Sequence, residues 1–105
     1  MKITTQQETL LVYGLERLGA DNAFKVRDAI RAELKHEHRV LRIDFAKLDF
    51  LDSSGLGALI SLQKSMAEQN GKVQLVNPTD TSLQILELTR LHRIFEIVRI
   101  QSNDA

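Results

Sequence analysis

Apolar residues in this 105-residue chain follow two alternating spacings, and this alternation constrains the fold more than any other sequence feature. Four short runs have the composition and spacing of strands, and they cover residues 9–13, 40–45, 73–76 and 94–98. Three amphipathic segments with helical spacing lie between them, after Asp21, from Ser53 to Asn70-Gly71 and from Thr81 to about Leu88. This order predicts an α/β fold in which helices pack on a mixed β-sheet.

Short polar side chains indicate where each helix should begin. Asp21 is a suitable N-cap for the first helix, whose apolar stripe runs from Ala23 to Leu34. Residues 81–84 (Thr-Ser-Leu-Gln) fit the capping-box pattern, so the third helix is expected to begin there. The second helix should end at Asn70-Gly71, because both residue types tolerate the left-handed conformation common at helix ends.

Composition excludes several classes of function. Fourteen basic residues balance fourteen acidic ones, whereas a protein that binds nucleic acid through its phosphates carries a basic excess. The chain has no cysteine, which rules out disulfides and thiolate metal sites. Its polar N-terminus does not resemble a signal peptide, and no apolar run approaches the roughly 18 residues of a membrane span. We therefore expect one cytoplasmic domain over residues 1–105, with residues 101–105 as a frayed tail.

The segment Asp52-Ser53-Ser54-Gly55-Leu56-Gly57 lies where a strand and a short loop lead into a helix. Free N–H groups and the dipole at a helix start favour negative charge. A phosphate on a serine there adds roughly −1.5 to −2 charges, and the two glycines leave the surface open to another chain. Ordinary capping accounts for the same residues, and spacing alone does not choose between Ser53 and Ser54.

The longer context, residues 41–59, closely resembles the signature of STAS domains, and specifically that of the anti-sigma factor antagonists. The shared features are a strand ending in Asp, a short apolar loop, and Asp-Ser-Ser-Gly-Leu-Gly at a helix start. Similarity continues through residues 71–78, 83–88 and 91–97. The resemblance implies a small STAS-like domain, with a mixed β-sheet and helices packed largely on one side.

The resemblance also implies a partner-switching role without enzymatic activity or a cofactor. In the family, the unphosphorylated antagonist binds an anti-sigma factor that has a histidine-kinase-like ATP-binding fold. That partner phosphorylates the first serine after the Asp, here Ser53, and a PP2C-type phosphatase reverses the modification. The implied partner-binding residues are Asp52, Ser53, Ser54, Gly55, Leu56 and Gly57.

One segment departs from the family pattern. Many members carry Gly-x-Leu-Asp before the first helix, where it contributes to the docking surface. Residues 14–22 of this chain read Gly-Leu-Glu-Arg-Leu-Gly-Ala-Asp-Asn, so the acidic position is not cleanly matched, and Glu16 and Asp21 are the two candidates to substitute for it. This difference leaves the identity of the partner open.

Two groups of residues suggest metal sites, but simpler interpretations account for both. His36 and His38 flank Glu37 without a third ligand nearby in sequence, which favours a solvated, charged turn over a zinc site. A second group, Asp44, Asp49 and Asp52, has the ligand type that magnesium prefers, but capping and solvation explain these carboxylates. No metal is therefore predicted.

Two other functions compete with the phosphorylation switch. A constitutive STAS subunit of a lipid-transport ATPase, or of a signalling scaffold, would use the same fold without modification of Ser53. A small nucleotide-binding or hydrolytic domain is disfavoured, because the chain has no P-loop. It also lacks the Gly-x-Ser-x-Gly elbow, and His92 is the only well-separated histidine to serve as a base.

Overall fold

The computed structural model describes residues 1–101. The strands are β1 (Lys2–Gln6), β2 (Thr9–Tyr13), β3 (Arg17–Leu18), β4 (Val40–Asp44), β5 (Phe50–Leu51), β6 (Lys72–Val76) and β7 (Glu96–Val98). The α-helices are α1 (Ala23–Glu33), α2 (Ser53–Glu68) and α3 (Asp80–Leu88), and a 3-10 turn spans Leu91–Arg93. Of the tail predicted for residues 101–105, only Gln101 lies within the described residues, and it has no regular structure.

Five strands form the main sheet in the order β1-β2-β4-β6-β7. The hairpin β1–β2 is antiparallel, whereas β2–β4, β4–β6 and β6–β7 are parallel. The short strands β3 and β5 form a separate parallel pair, which places Arg17 opposite Phe50 and Leu18 opposite Leu51. The predicted α/β fold with a mixed sheet is therefore confirmed.

The helices lie largely on one side of this sheet, as predicted. Alternate strand residues on that side are fully buried, and they are Leu10, Val12, Leu41, Ile43, Val73 and Leu75. Buried residues of α1 and α2 complete the core cluster, among them Ile30, Leu59 and Met66. Within residues 1–101, no helix combines the length and apolar character that spanning a bilayer requires.

Strand β1 was not predicted, because it carries almost no apolar signal. Four of its five side chains are exposed and only Ile3 is half-buried, so its place in the sheet rests on backbone pairing with β2. Strands β3 and β5 have two residues each, too few for a period of two to show. The final strand begins at Glu96 rather than residue 94.

Two predicted helix starts are wrong by one or two residues. Asn22, not Asp21, is the N-cap residue of α1; its side chain accepts from the Gly19 N–H at 2.9 Å, while Asp21 pairs with Arg17. Helix α3 is capped by Thr79, whose hydroxyl accepts from the Ser82 N–H at 3.2 Å. In both places neighbouring residues have equal capping chemistry, and local backbone geometry decides between them.

The end of α2 lies where the sequence predicts it. The helix ends at Glu68, and Asn70 adopts the left-handed conformation with φ 59°. The Gly71 N–H then donates to the Met66 carbonyl at 2.7 Å. This closing turn satisfies one of the free carbonyls at the helix end.

Candidate functional site

Asp52 joins two segments at the junction between β5 and α2. One carboxylate oxygen accepts from the Gly55 N–H at 3.0 Å, which makes Asp52 the N-cap of α2. The other oxygen accepts from the Ala20 N–H at 3.0 Å. Because Ala20 lies in the loop before α1, a single side chain holds the starts of both helices together.

The surroundings of Asp52 stabilise its ionised form. The hydrogen bond from the Gly55 N–H is the largest influence that lowers the pKa of Asp52 below its ordinary value. The N–H groups of Ala20 and Ser54 and the guanidinium of Arg17 lower the pKa further, against partial desolvation, which raises it. The carboxylate is therefore a fixed negative charge beside Ser53 at neutral pH.

The two serines that the sequence left undistinguished differ in accessibility. Ser53, the first residue of α2, is exposed, whereas Ser54 is partly buried. Of the other residues predicted to bind a partner, Gly57 is exposed and Asp52 is partly buried, while Gly55 and Leu56 are buried. Ser53 is therefore the more accessible of the two hydroxyls, and Gly55 and Leu56 present little surface to another chain.

The two glycines of this turn have different surroundings. A Cβ at Gly55 would lie 2.2 Å from the Leu18 carbonyl oxygen, a main-chain atom that cannot move cheaply. A Cβ at Gly57 would meet no atom within 4 Å. Gly55 thus permits the close approach of α2 to β3, whereas Gly57 leaves open space on the outside of the helix.

Two aromatic side chains near the junction were not identified from the sequence. Phe50 is 41% exposed, and the guanidinium carbon of Arg17 lies 4.6 Å from its ring centroid. Phe24, in the first turn of α1, is 59% exposed. The sequence did contain a signal, because Phe24 falls outside the apolar stripe of Ala23, Val26 and Ile30, which indicates an exposed ring.

Helices α1 and α2 begin at the same end of the molecule. Ala20, just before α1, contacts Asp52 at the start of α2, and further along the pair Arg31 hydrogen-bonds to Ser61. Five of the exposed residues at this end are together called the Ser53 surface, and they are Arg17, Phe24, Phe50, Ser53 and Gly57. This surface combines apolar area, one arginine and a free hydroxyl, which suits the binding of another protein.

Both residues proposed for the family's acidic position are exposed near this surface. The Asp21 carboxylate is 3.0 Å from the Arg17 guanidinium. Glu16 contributes its main chain, since its carbonyl accepts from the Asp49 N–H at 3.0 Å. Asp21 thus contacts a residue of the Ser53 surface through its side chain, while the role of either carboxylate stays a prediction.

The histidines of the 36–38 segment have different environments, so the predicted solvated turn is only half right. The His36 side chain is 97% exposed, but His38 is fully buried. The Lys35 N–H donates to His38 Nδ1 at 2.9 Å, which leaves Nε2 to donate to the Thr5 hydroxyl at 3.2 Å. One of its two ring partners, Thr5, lies on the unpredicted strand β1.

Two of the three acidic residues considered for magnesium serve other purposes. Asp44 accepts from the Ala46 N–H at 2.8 Å, and Asp52 caps α2. Residues 1–101 contain no group of three or more His, Cys, Asp or Glu side chains placed to hold a metal ion. His92 Nδ1 lies 3.4 Å from the Leu86 carbonyl oxygen, so this imidazole contacts the main chain of α3.

Comparison with known proteins gives consistent matches. A family model described as the STAS domain matches residues 1–103. The anti-sigma-B factor antagonist of Listeria monocytogenes is 31% identical over 84 residues, which cover 80% of this chain and 74% of that protein. Among solved structures, a candidate anti-sigma factor antagonist from Thermotoga maritima has a TM-score of 0.85 at 21% identity, covering 95% of this chain and 86% of its own.

The anti-sigma factor antagonist SpoIIAA has been solved in two states, and both have the fold of this chain. Its unphosphorylated form gives a TM-score of 0.81 at 18% identity, covering 98% of this chain and 90% of that one. The phosphorylated form from Bacillus gives 0.71 at 19% identity, covering 98% and 93%. At these identities the similarity is one of fold.

Proposed function

This chain belongs to the STAS domain family, and we propose that it acts as an anti-sigma factor antagonist switched by phosphorylation of Ser53. In this role it is a binding protein of the bacterial cytoplasm and not an enzyme. The observation that carries the proposal is the exposed Ser53 at the first turn of α2, beside the partly exposed Phe50. The names of the related proteins support the role.

The unphosphorylated protein docks an anti-sigma factor with a histidine-kinase-like ATP-binding fold through the Ser53 surface. Burial of Phe24 and Phe50 supplies apolar contact, and aromatic residues are enriched in the centres of such interfaces. Gly57 lets the partner approach the helix backbone closely, since nothing projects from that position. Once the antagonist has bound the anti-sigma factor, the anti-sigma factor releases its sigma factor.

The partner transfers the γ-phosphoryl group of ATP to the Ser53 hydroxyl oxygen and releases ADP. The new phosphate lies beside the ionised Asp52, so two like charges share one edge of the docking surface. Desolvating that pair in an interface is costly. A loss of about 2.7 kcal/mol lowers affinity roughly 100-fold, and hydrolysis by a PP2C-type phosphatase restores binding.

The test is a quantitative pull-down from native-cell lysate with four baits, followed by mass spectrometry. The baits are wild type, Ser53→Ala, Ser53→Asp and Thr81→Asp. The last is a matched control, because Thr81 is an exposed hydroxyl residue in the first turn of α3. We expect wild type, Ser53→Ala and Thr81→Asp to capture a kinase-fold regulator that Ser53→Asp loses.

A different pattern of captured proteins would contradict the proposal. Equal recovery of transporter or scaffold subunits by all four baits would show a constitutive STAS subunit in which Ser53 only opens a helix. Once a partner is identified, Gly57→Gln gives a second measurement. The added side chain has room in the free protein, so binding should weaken while folding is retained.

A further inference from the structure

The start of α2 offers a phosphate on Ser53 few hydrogen-bond donors. Asp52 already accepts from the Gly55 N–H at 3.0 Å, and it interacts with the Ser54 N–H as well. A phosphate usually binds a helix start through these N–H groups. Since a carboxylate occupies them, a positive side chain from another segment is the strongest protein ligand left for the phosphate.

The segment before α1 brings such a side chain to the junction. Strand β3 pairs with β5 so that Arg17 lies opposite Phe50, two residues before Asp52. The Asp52 N–H approaches the Leu18 carbonyl at 3.4 Å, and its carboxylate accepts from the Ala20 N–H at 3.0 Å. The loop that carries Arg17 therefore folds directly against Asp52.

Arg17 is held, but only by weak contacts. Its guanidinium stacks over Phe50 at 4.6 Å and reaches the Asp21 carboxylate at 3.0 Å. Both partners of this ion pair are about half exposed, with side-chain exposures of 50% and 62%, and exposed pairs of this kind are weak. A phosphate dianion competes well with one carboxylate, because guanidinium groups bind phosphate in a bidentate manner.

We propose that Arg17 captures the phosphate of phosphorylated Ser53 within the same chain, leaving Asp21 while its guanidinium stays over Phe50. This inference rests on the proposed modification of Ser53 and adds how the modified state is held. Capture engages the arginine with the phosphate, so it is no longer available to a partner, and it frees the Asp21 carboxylate. Phosphorylation thereby changes the charge of the loop before α1 as well as that of α2.

The test installs phosphoserine at position 53 during translation, so that no kinase is needed, and follows the phosphate by ³¹P NMR titration. The segments that form this junction carry the charged groups Glu16, Arg17, Asp21, Asp49 and Asp52, and α1 adds Lys25, Arg27 and Asp28. We expect Arg17→Gln to raise the second pKa of the phosphate by about 1 unit, the effect of removing an adjacent opposite charge. Arg17→Lys should keep part of the lower value.

Arg27 provides a matched control, since its guanidinium carbon stacks over Phe24 at 4.8 Å and its Nε lies 3.0 Å from an Asp28 carboxylate oxygen. Arg27→Gln should leave the titration unchanged. Equal pKa values in wild type and Arg17→Gln, with native circular dichroism in both, would overturn the capture. So would an equal rise in Arg27→Gln.

The failure of this inference is distinguishable from failure of the switch. If the titration shows no effect of Arg17 but Ser53→Asp loses the partner in the pull-down, the switch stands without the capture. If Arg17→Gln raises the pKa and the pull-down finds no phosphorylation-sensitive partner, the capture stands as a property of the surface and the proposed function is wrong.

Discussion

Replacing Gly55 by alanine tests the close contact between α2 and β3. The new Cβ would lie 2.2 Å from the Leu18 carbonyl oxygen and 2.9 Å from the Leu51 Cδ1 atom. Overpacking costs about 1–3 kcal/mol, and here the cost belongs at the upper end because the obstructing atom is main chain. Higher helix propensity returns only about 0.5–1 kcal/mol, so the net loss is about 2 kcal/mol.

Gly57→Ala is the matched control, two residues further along the same helix. A Cβ there meets no atom within 4 Å, so only the gain in helix propensity remains. We expect stability to rise by about 0.5–1 kcal/mol. The same substitution thus has opposite signs at two neighbouring glycines, which excludes a general effect of alanine in α2.

Urea and thermal unfolding, followed by far-ultraviolet circular dichroism, measure both effects. At roughly 4–8 °C per kcal/mol for a domain of this size, Gly55→Ala should lower Tm by about 8–16 °C. Gly57→Ala should raise Tm by about 2–8 °C on the same scale. A Gly55→Ala protein as stable as wild type, or an equal loss at Gly57, would refute the argument from backbone contact.

Three further predictions concern polar side chains. The folded-state pKa of Asp52 is lowered, so its stabilising effect is present above about pH 4 and is lost as pH falls through the folded pKa. In acid unfolding curves, the free energy of unfolding of Asp52→Asn should therefore fall less steeply with pH than that of wild type. His38→Ala removes a fully buried side chain and takes the acceptor from the part-buried Lys35 N–H, so it should cost about 1–3 kcal/mol in urea unfolding, whereas His36→Ala should stay within about 0.5 kcal/mol. Thr79→Ala removes the cap of α3 and should lower the free energy of unfolding by about 0.5–2 kcal/mol. Thr81→Ala should change it by under about 0.5 kcal/mol. Equal losses in the two variants would contradict the assigned cap.

The sequence predicts the parts of the fold in which burial imposes a period. Alternation over residues 9–13 and 40–45 identifies β2 and β4, because one side chain in two enters the core. Strand β1 lacks that signal, since only Ile3 packs against the core. The contact between Thr5 of this strand and His38 was therefore missed too, and a histidine beside polar residues was assigned to solvent.

The chemistry of the candidate site could be predicted from the sequence, but the contacts between its distant segments could not. Asp52 as a cap and Ser53 at a helix start follow from local sequence. The bond from Ala20 to Asp52 joins residues 32 positions apart, and the Arg17–Phe50 contact depends on pairing between two very short strands. No local pattern encodes contacts of this kind, which form only when distant segments pack together.

The separation in sequence between Ser53 and the residues around it affects how an enzyme can recognise the serine. A synthetic peptide copying residues 48–60 contains the whole motif but lacks Arg17 and the Ala20 N–H donor. Such a peptide is also too short to hold a helix in water. An enzyme that reads the Ser53 surface therefore reads tertiary structure rather than a linear sequence, and denatured or truncated chains that retain Ser53 would escape modification.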